Sequence, residues 1–558
     1  MDPIWLQRYD PGVPHQLDAQ PWTLPEILDR AAERWPERPA LTFRGRTLRY
    51  SELVEHVDRL AASLAELGVE RDTKVSLWMP NIPQMVIAFF ATWRLGAQAV
   101  CTNPLYVERE LEHQLNDAGV RVVITCDFLW HHRLRPMLDR VPTVERVVVT
   151  SIGDYLPWPL RWLAPLKLRR RQQWARVRRE PRVRFFRELI ASAPAPPPWP
   201  DLPFDHLAAL QYTGGTTGLS KGAMLTHQSL SLNAQQCLSW DPSVKPGEEV
   251  GLGALPYFHS FGMTVAMIMP ILVGAHIVLM PDPRDVSSMV RAIPRYRVSA
   301  FPAVPAMYAA ITSFPGIEAL DLSSLRYCFC ASAPLPLEVL ERFEAMTGGC
   351  ITEGYGMTEA SPATHVNPIK GPRKPGTVGL PLPGTDMKIV DVENSERELA
   401  PGVVGEICVR GPQVMAGYWQ RPGETTEMLR GGWLHTGDLG RVDDEGFTTI
   451  VGRKKEMIIA GGYNVYPDEI DQVLFAHPAV LEAATIGVPD PRLGESVKSF
   501  VVLRPDADAT VDELIAHCRR ELAAYKAPRQ IELVDGLPRS SVLKILRREL
   551  LERELAKG

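Results

Sequence analysis

Residues 211–222 read Gln-Tyr-Thr-Gly-Gly-Thr-Thr-Gly-Leu-Ser-Lys-Gly, and the rest of the chain is arranged around this stretch. It follows a short apolar run, residues 207–210, that predicts a strand. Glycines allow the backbone to take positive φ and to approach a ligand closely. Turned N–H groups beside a lysine make a concavity that binds anions such as a polyphosphate. The candidate phosphate-contacting residues are Thr213, Gly214, Gly215, Thr216, Thr217, Gly218 and Lys221.

This loop is not the G-x-x-x-x-G-K-[ST] phosphate loop of the common nucleoside triphosphatases, because Ser220 rather than a glycine precedes Lys221. A surface turn rich in glycine, serine and threonine would have a similar composition. Taken alone, the loop therefore leaves phosphate binding and an ordinary turn both open.

Length and composition indicate a globular protein with more than one domain. A chain of 558 residues exceeds what one hydrophobic core usually supports. With 45% hydrophobic and 23% charged residues, its composition is that of an ordinary soluble protein. The net charge of −5 gives no general attraction to nucleic acid. Eight scattered cysteines without a C-x-x-C pair argue against a disulfide framework or a zinc site and favour a cytoplasmic location.

Strand-like and helical patterns alternate along most of the chain, which favours a mostly parallel sheet covered by helices. The strand-like runs are residues 74–79, 97–102, 120–125 and 144–150. Residues 376–450 are dense in glycine and β-branched residues and predict a small β-subdomain with short strands at 387–390, 405–410 and 440–442. A separate pattern of strands and helices begins at Met457, with helices expected from about Pro467, from Val511 and, rich in basic residues, at the C-terminus. The expected fold is α/β, with a large N-terminal domain of helix-covered sheets and a small C-terminal α/β domain.

Two stretches raise the question of membrane contact. Residues 250–281 contain no charged side chain, but prolines, glycines and histidines interrupt them, so we interpret them as buried core. Residues 155–179 begin with apolar and aromatic residues and continue into a basic run, a composition typical of an interfacial membrane helix. A solvated insertion with a charged face is the alternative. Residues 191–200 are a proline-rich linker.

Five motifs in order resemble the adenylate-forming enzymes, which include acyl-CoA synthetases, plant 4-coumarate ligases, beetle luciferases and peptide-synthetase adenylation domains. The resemblance covers nearly the whole chain and is greatest to the bacterial long-chain fatty acid–CoA ligases. The motifs are the loop at 213–222, Tyr355-Gly-Met-Thr-Glu359, Thr436-Gly-Asp438, Gly452-Arg453-Lys-Lys-Glu456 with Gly461-Gly-Tyr463, and Lys544.

The resemblance implies ATP, Mg²⁺ and coenzyme A as cofactor and substrates, and it assigns roles to individual residues. Thr213 and Glu359 would ligate Mg²⁺, which prefers hard oxygen ligands, and Thr358 would contact the α-phosphate. Asp438 would accept both ribose hydroxyls, and Arg453 would donate to the same sugar. The residues that would hold adenine are Gly354, Tyr355 and Gly356.

Lys544 corresponds to the family lysine that bridges the substrate carboxylate and the α-phosphate. Here the chain departs from the family, because Leu543 stands where glycine is common. The family rotates its C-terminal domain about a hinge, at Lys455 in this chain, between the two half-reactions. The expected division is residues 1–452, a hinge at 453–456, and a mobile lid at 457–558. Rotation would remove Lys544 and bring the coenzyme A-facing residues Gly461, Gly462 and Tyr463 to the site.

Gly356 points to a large acyl group, because acetate-activating relatives carry a tryptophan there that closes the pocket. The predicted pocket residues are Phe258, His259, Phe261, Met263 and Gly356. The resulting expectation is a ligase that joins a medium- or long-chain fatty acid to coenzyme A. A ligase for an aromatic, coumarate-like acid and a non-catalytic nucleotide-binding relative stay open. Peripheral contact with the inner face of a membrane through residues 155–179, and a homodimer, also stay open.

Overall fold

We analysed a computed structural model of the chain, which describes residues 3–213, 220–460, 463–490, 492, 494–505, 507–540 and 545–557. The strands are β1 (Pro39–Phe43), β2 (Arg46–Arg49), β3 (Lys74–Trp78), β4 (Gln98–Cys101), β5 (Val122–Cys126), β6 (Arg146–Thr150), β7 (Val183–Phe185), β8 (Leu207–Thr213), β9 (Lys221–Thr226), β10 (Val250–Gly253), β11 (His276–Leu279), β12 (Tyr327–Cys330), β13 (Cys350–Gly356), β14 (Ala363–Val366), β15 (Leu380–Pro381), β16 (Asp386–Val390), β17 (Gly405–Arg410), β18 (Leu434–Val442), β19 (Thr448–Arg453), β20 (Ile458–Ala460), β21 (Tyr463–Val465), β22 (Val480–Asp490), β23 (Gly494–Leu503) and β24 (Gln530–Leu533).

Helices alternate with these strands over most of the chain. The α-helices are α1 (Leu24–Arg34), α2 (Tyr50–Glu66), α3 (Pro83–Arg94), α4 (Glu108–Ala118), α5 (Asp127–Leu129), α6 (Leu160–Arg170), α7 (Phe186–Ala191), α8 (His227–Ser239), α9 (Ser260–Met263), α10 (Met269–Leu272), α11 (Val286–Tyr296), α12 (Pro305–Thr312), α13 (Leu337–Thr347), α14 (Pro422–Met428), α15 (Pro467–Phe475), α16 (Val511–Glu521) and α17 (Arg547–Leu555).

A seven-stranded sheet with the order β7-β6-β5-β3-β4-β8-β9 organises the first part of the chain. Its strands pair in parallel, except that β9 runs antiparallel to β8. The central strands β3, β4 and β5 are buried along almost their whole length, which explains their continuous apolar sequences. The predicted alternation is therefore confirmed. Thr213 ends β8 directly opposite Lys221, the first residue of β9, so the two ends of the glycine- and threonine-rich loop lie side by side.

Two four-stranded sheets complete the central core, with the orders β10-β11-β1-β2 and β12-β13-β14-β15. The uncharged stretch at 250–281 supplies β10, two short α-helices, an intervening π-helix and β11, most of it buried, as the sequence predicted. Strand β13 carries the Tyr355 motif, and a short 3-10 helix at Thr358–Ala360 follows it. These sheets therefore bring the second motif toward the end of β8.

The predicted β-subdomain is an antiparallel sheet with the order β16-β17-β18-β19 and an apolar core of its own. Strand β18 is longer than the predicted run at 440–442, because it begins at Leu434 and includes the Thr436-Gly-Asp438 motif. The difference arises because the glycines in this strand weaken its period-two pattern. Asp438 lies directly opposite Arg453 of β19.

The C-terminal part forms a five-stranded sheet with the order β21-β20-β23-β22, to which β24 adds in parallel beside β23. Two apolar clusters pack on it, and they are separate from the large core of the preceding sheets. The expected helices at Pro467 and Val511 and the basic C-terminal helix are present as α15, α16 and α17. The division at residues 453–456 stays a prediction.

The insertion at 155–200 has more structure than its composition predicted. It contains α6 and, beyond the basic run, β7 and α7, and β7 extends the edge of the seven-stranded sheet. The sequence missed β7 because arginines and a proline surround its three residues. In the part of the chain that the structure describes, no helix is both long and apolar enough to cross a bilayer.

Candidate active site

One large cleft, with a volume of about 2600 Å³, collects most of the residues that the sequence selected. Side chains from β8, β9, β13, β18 and β19 line it, together with residues of the C-terminal part. The predicted site residues along it are Thr213, Lys221, Phe258, His259, Phe261, Gly354, Tyr355, Gly356, Thr358, Glu359, Asp438, Arg453 and Lys455. Four separate motifs therefore reach a common space.

Tyr355, Asp438 and Arg453 form a hydrogen-bonded unit on the cleft wall, which we call the Asp438 corner. The Tyr355 hydroxyl donates to Asp438 Oδ2 at 2.6 Å, and Arg453 Nε lies 3.0 Å from Oδ1. The Asp438 carboxylate is buried, and its charge raises the pKa of Arg453. A carboxylate has about four acceptor positions, and this arrangement leaves room for further donors such as sugar hydroxyls.

Glu359 is a buried carboxylate beside the 3-10 helix that follows β13. Tyr418 donates its hydroxyl to Glu359 Oε1 at 2.6 Å. Burial raises the pKa of Glu359, and the hydrogen bond from Tyr418 opposes that effect. The positive charge of Arg453 also lowers the pKa of Glu359, which forms no ion pair among the described residues. Together with the Thr213 hydroxyl it offers hard oxygen ligands, which fit Mg²⁺.

Lys221 faces the cleft at the start of β9. It pairs with Glu424 and lies 5.5 Å from the ring centroid of Tyr418. Burial lowers its pKa, and the positive charge of Lys455 adds to that effect. Two lysines from different parts of the chain therefore act on the same region of the cleft, which suits a polyanionic ligand.

The Thr358 hydroxyl lies 3.4 Å from the Ser260 hydroxyl, which connects the Tyr355 motif to the stretch at 250–281. Gly356 lies against the backbone, because a Cβ at this position would come within 1.9 Å of the Pro362 carbonyl oxygen. The glycine is therefore required by the local backbone, in addition to leaving the pocket open. Sequence reasoning considered only the second effect.

Phe258, His259 and Phe261, which the sequence predicted for the acyl pocket, line the cleft, and their role in acyl binding stays a prediction. His259 also caps α9, since its Nδ1 accepts the Phe261 N–H at 3.3 Å. Met263 is fully buried, and the described lining of the cleft does not include it. Val265 and Met269 supply apolar lining instead, because the helical turn points Met263 into the core.

The predicted hinge is a turn between β19 and β20. Lys454 is held by the preceding sheets: its N–H donates to the Gly437 carbonyl at 2.9 Å, and its Nζ donates to the Val392 carbonyl at 3.0 Å. Glu456 is held by the C-terminal part, through Arg547 at 2.8 Å. Lys455 is the one residue between these two attachments.

Arg547 is the centre of a second, partly buried charged group, the Arg547 cluster, which also contains Glu456, Asp468 and Asp471. Arg547 binds Asp471 at 2.6 Å and also contacts Asp468. Burial alone would lower the pKa of Arg547, but the three carboxylates hold it well above its usual value. The cluster thus ties the start of α17, three residues after Lys544, to α15 and the hinge.

Several predicted residues lie outside the described part of the chain or away from the cleft. The former are Gly214, Gly215, Thr216, Thr217, Gly218, Gly461, Gly462 and Lys544. Tyr463 is exposed and stacks on Tyr525 with ring centroids 4.5 Å apart, and it is not part of the described cleft lining.

Sequence reasoning missed Tyr418, Glu424 and Arg547. Tyr418 follows Gly417, whose carbonyl accepts the Met224 N–H of β9 at 2.8 Å, so a long-range backbone pairing brings it to Glu359. A single sequence contains no signal for that pairing. Arg547 stands in the basic run after Lys544, where its position near the catalytic candidate was the available clue.

The fold and the cleft define an α/β enzyme with a large N-terminal domain and a C-terminal domain. The chain belongs to the AMP-binding enzyme family: the model of the AMP-binding enzyme domain matches residues 28–419, and that of the AMP-binding enzyme C-terminal domain matches residues 469–544.

Full-length relatives agree with this assignment. The chain is 42% identical to a long-chain-fatty-acid–CoA ligase of Bacillus subtilis (strain 168), over 99% of this chain and 98% of the relative. It is 40% identical to a long-chain-fatty-acid–CoA ligase of Yersinia pestis, over 100% of this chain and 99% of the relative. Among solved structures, an anthranilate CoA ligase in complex with anthranoyl-AMP matches with a TM-score of 0.85 and 29% identity, covering 96% of this chain and 97% of that one.

Proposed function

We propose that this protein is an AMP-forming ligase that joins a medium- or long-chain fatty acid to coenzyme A. The observation that carries the proposal is the shared cleft, in which the Asp438 corner, Glu359 and Lys221 surround one space beside an apolar pocket. The identity of 42% over almost the full length to a long-chain-fatty-acid–CoA ligase supports the same substrate class.

The reaction has two steps. In the first, a carboxylate oxygen of the fatty acid attacks the α-phosphorus of ATP, an acyl–phosphate bond forms, and pyrophosphate leaves. In the second, the thiol of coenzyme A loses its proton and attacks the acyl carbonyl carbon, and AMP leaves. Both steps concentrate negative charge at phosphorus or at the carbonyl oxygen, which preorganised donors stabilise.

The described residues supply nucleotide recognition. Asp438 accepts the two ribose hydroxyls while Tyr355 and Arg453 hold its carboxylate in place. Gly354, Tyr355 and Gly356 hold adenine, and Lys221 offsets phosphate charge. Thr358 is placed to contact the α-phosphate, with Ser260 orienting its hydroxyl. Glu359 and Thr213 would hold Mg²⁺, which supplies charge neutralisation for the triphosphate when bound.

The acyl group occupies the apolar part of the cleft. Phe258, Phe261, Val265 and Met269 line this part, and the same cleft continues to Phe128 and Ile152. Each buried methylene contributes about 0.8 kcal/mol, so a long chain gains affinity along this path that an aromatic acid cannot. The alternative of an aromatic acid is supported by the structural likeness to an anthranilate CoA ligase, at a lower identity of 29%.

The second step requires the C-terminal lobe to turn about Lys455. Lys454 is attached to the large domain and Glu456 to the C-terminal lobe, which leaves Lys455 as the residue able to absorb the change in φ and ψ. Lys544 would act in the first step, and Gly461, Gly462 and Tyr463 in the second. A Lys455→Pro variant should keep pyrophosphate release and lose thioester formation; equal loss of both would contradict the hinge.

The experiment for the function is a panel of acids from acetate to C18 with 4-coumarate included, read by pyrophosphate release and by acyl-CoA formation. A maximum among the medium or long chains is expected. A maximum at 4-coumarate or acetate would contradict the proposed substrate, and no release with any acid would favour a non-catalytic nucleotide-binding relative. Homodimer formation and peripheral bilayer contact through residues 155–179 stay predictions of the sequence.

A further inference from the structure

The outer face of α6 and the turn before it expose an unusual amount of apolar surface. Large apolar side chains are normally exposed singly, but here five lie within nine consecutive residues. The exposed fractions are 78% for Trp158, 51% for Leu160, 70% for Trp162, 56% for Leu163 and 67% for Leu166. Among the tryptophans in the described part of the chain, Trp158 and Trp162 have the largest exposed fractions.

The opposite face of α6 is fixed to the protein, so the exposed face is held outward. Ala164 and Leu168, four residues apart, are both buried. A Cβ at Gly153 would lie 3.0 Å from the Ala164 Cβ, which shows how closely the helix approaches the turn beneath it. The turn that contains Gly153 is itself attached to α2, because the Tyr155 hydroxyl lies 2.9 Å from His56 Nδ1.

The charged residues of this segment have one sign, although Asp282 of a neighbouring loop interacts with Arg171 at its end. Residues 155–179 contain no Asp or Glu and eight basic residues, although the chain as a whole has a net charge of −5. The basic residues are Arg161, Lys167, Arg169, Arg170, Arg171, Arg176, Arg178 and Arg179. In the described structure, the four from Lys167 to Arg171 have no ion-pair partner; the paired member of the set is Arg179, which contacts Glu188.

The active-site cleft opens at the carboxyl end of α6. Arg171, which caps the helix, and Gln173 both line the cleft, as does Arg44 in the turn between β1 and β2. Arg44 and Arg171 are exposed, so the cleft reaches the surface at this point. Phe128 and Ile152 continue its lining inward from there.

We propose that α6 docks on an anionic lipid bilayer and that the fatty acid passes from the bilayer into the cleft through the opening at Arg171. Tryptophan and leucine side chains enter the interfacial region of a bilayer, while lysine and arginine attract anionic headgroups. The delivery part of the proposal rests on the proposed function, because it requires a fatty acid substrate.

A second copy of the chain is a poorer occupant of this face. A symmetric dimer would bring the same patch against itself, and eight basic residues would then face eight more without an intervening carboxylate. Like charges at that density oppose association, whereas a bilayer that carries anionic headgroups complements them.

The test compares the unaltered chain with an apolar variant, Trp162→Ser/Leu166→Ser, and a charge variant, Lys167→Gln/Arg169→Gln/Arg170→Gln. A matched control, Val403→Ser/Lys370→Gln, removes an exposed apolar residue and a cation elsewhere on the surface. Binding is measured by flotation with vesicles of phosphatidylglycerol and phosphatidylcholine, and with vesicles of phosphatidylcholine alone. Ligase rates are measured with palmitate carried in the vesicles and with octanoate free in solution.

Both α6 variants should bind the anionic vesicles at least about tenfold more weakly, and the control should bind like the unaltered chain. The α6 variants should also lose rate with vesicle-borne palmitate and keep their rate with octanoate. Unchanged binding to anionic vesicles in both variants, or binding of the unaltered chain to neutral vesicles as strong as to anionic ones, would overturn the docking.

Weakened binding with an unchanged palmitate rate would overturn the delivery step. Equal rate losses with palmitate and octanoate would also overturn it, since damage to the catalytic cleft would then explain both. An unaltered chain that is inactive with every acid would refute the proposed function, and delivery with it, while flotation would still decide the docking.

Discussion

The Asp438 corner and the Arg547 cluster are both partly buried charged networks, but they differ in how many carboxylates share one guanidinium. In the corner one carboxylate meets one guanidinium and one phenol, at 3.0 Å and 2.6 Å. In the cluster one guanidinium contacts three carboxylates, with Glu456 at 2.8 Å and Asp471 at 2.6 Å. The corner therefore keeps acceptor capacity on Asp438, whereas the cluster uses both terminal nitrogens of Arg547 for internal contacts.

This difference indicates that the Asp438 corner serves ligand recognition and that the Arg547 cluster serves structural stability. A network that leaves acceptor positions open in a cleft can exchange its contacts for those of a ligand. A network in which the single cation is surrounded by carboxylates is costly to disrupt, since removal of one partner leaves buried charges unpaired. We therefore expect damage to the corner to reduce activity and damage to the cluster to reduce stability.

The largest expected effect is that of Arg547→Ala on stability. Three carboxylates would lose their common cation, and the free energy of unfolding of the C-terminal lobe should fall by about 3–5 kcal/mol. Amide exchange of C-terminal peptides during urea unfolding would measure this. Arg553→Ala, which removes a cation from an exposed pair with Glu549, is the control and should change stability by less than about 1 kcal/mol. Similar values for the two variants would contradict the anchoring role.

The next largest effect is that of Asp438→Asn on activity. Loss of a charged hydrogen-bond acceptor costs about 1.5–3 kcal/mol, so kcat/KM for ATP in pyrophosphate exchange should fall by roughly 100-fold. The midpoint of urea unfolding should change little. Asp386→Asn alters an exposed carboxylate of the same sheet that pairs with Arg410 at 2.7 Å, and it should leave the exchange rate unchanged. Loss of stability in parallel with activity would assign Asp438 to anchoring instead.

A smaller effect is expected on the stability of the fold at low pH, through the buried residue His365 beside Tyr355 of the Asp438 corner. His365 lies opposite Tyr355, and burial lowers its pKa from 6.5 to about 3. Between pH 6.5 and pH 5 the unfolded chain takes up a proton at this histidine and the folded chain does not. Stability should therefore fall as the pH falls, by about 1.4 kcal/mol per pH unit for this one group.

The measurement is the urea midpoint against pH for the unaltered chain, His365→Gln and the exposed-site control His132→Gln. The pH dependence should become shallower in His365→Gln and stay the same in the control. An identical pH dependence in all three chains would show that His365 is not held neutral by the fold.

The smallest effect is that of Tyr355→Phe. The ring stays in place and only the hydroxyl that donates to Asp438 is lost, so about 1 kcal/mol, or roughly a fivefold loss in kcat/KM for ATP, is expected. Tyr296→Phe, at a tyrosine outside the described cleft lining, serves as the comparison. A loss as large as that of Asp438→Asn would mean that the hydroxyl, rather than the carboxylate, makes the main contact with the ligand.

Sequence reasoning recovered the corner better than the cluster, for physical reasons. Tyr355, Asp438 and Arg453 stand in motifs that, taken together in order, resemble those of the adenylate-forming enzymes, and that resemblance selected all three. The cluster joins residues up to 91 positions apart, and each is an ordinary surface-type residue in the sequence. Its charge balance appears only when α15 and α17 pack together.

The same limit applies to the acyl pocket and to the insertion. Phe258 and Phe261 were placed correctly along the cleft, but Met263 points into the core because the short helix α9 rotates it away. The basic run at 155–179 suggested a charged or interfacial helix. Which residues of α6 face outward depends on Gly153 and on the burial of Ala164, which no local pattern reveals.

Arg453 and Glu456, only three residues apart, belong one to the corner and one to the cluster. The Glu456 N–H also donates to the Arg453 carbonyl at 3.0 Å, a bond that any swing at Lys455 has to break. In the proposed mechanism, a sugar bound by Asp438 and Arg453 stabilises the peptide immediately before the proposed hinge at Lys455, and departure of the nucleotide removes that stabilisation. Nucleotide binding and the proposed movement of the C-terminal domain would then be coupled directly through the backbone of residues 453–456.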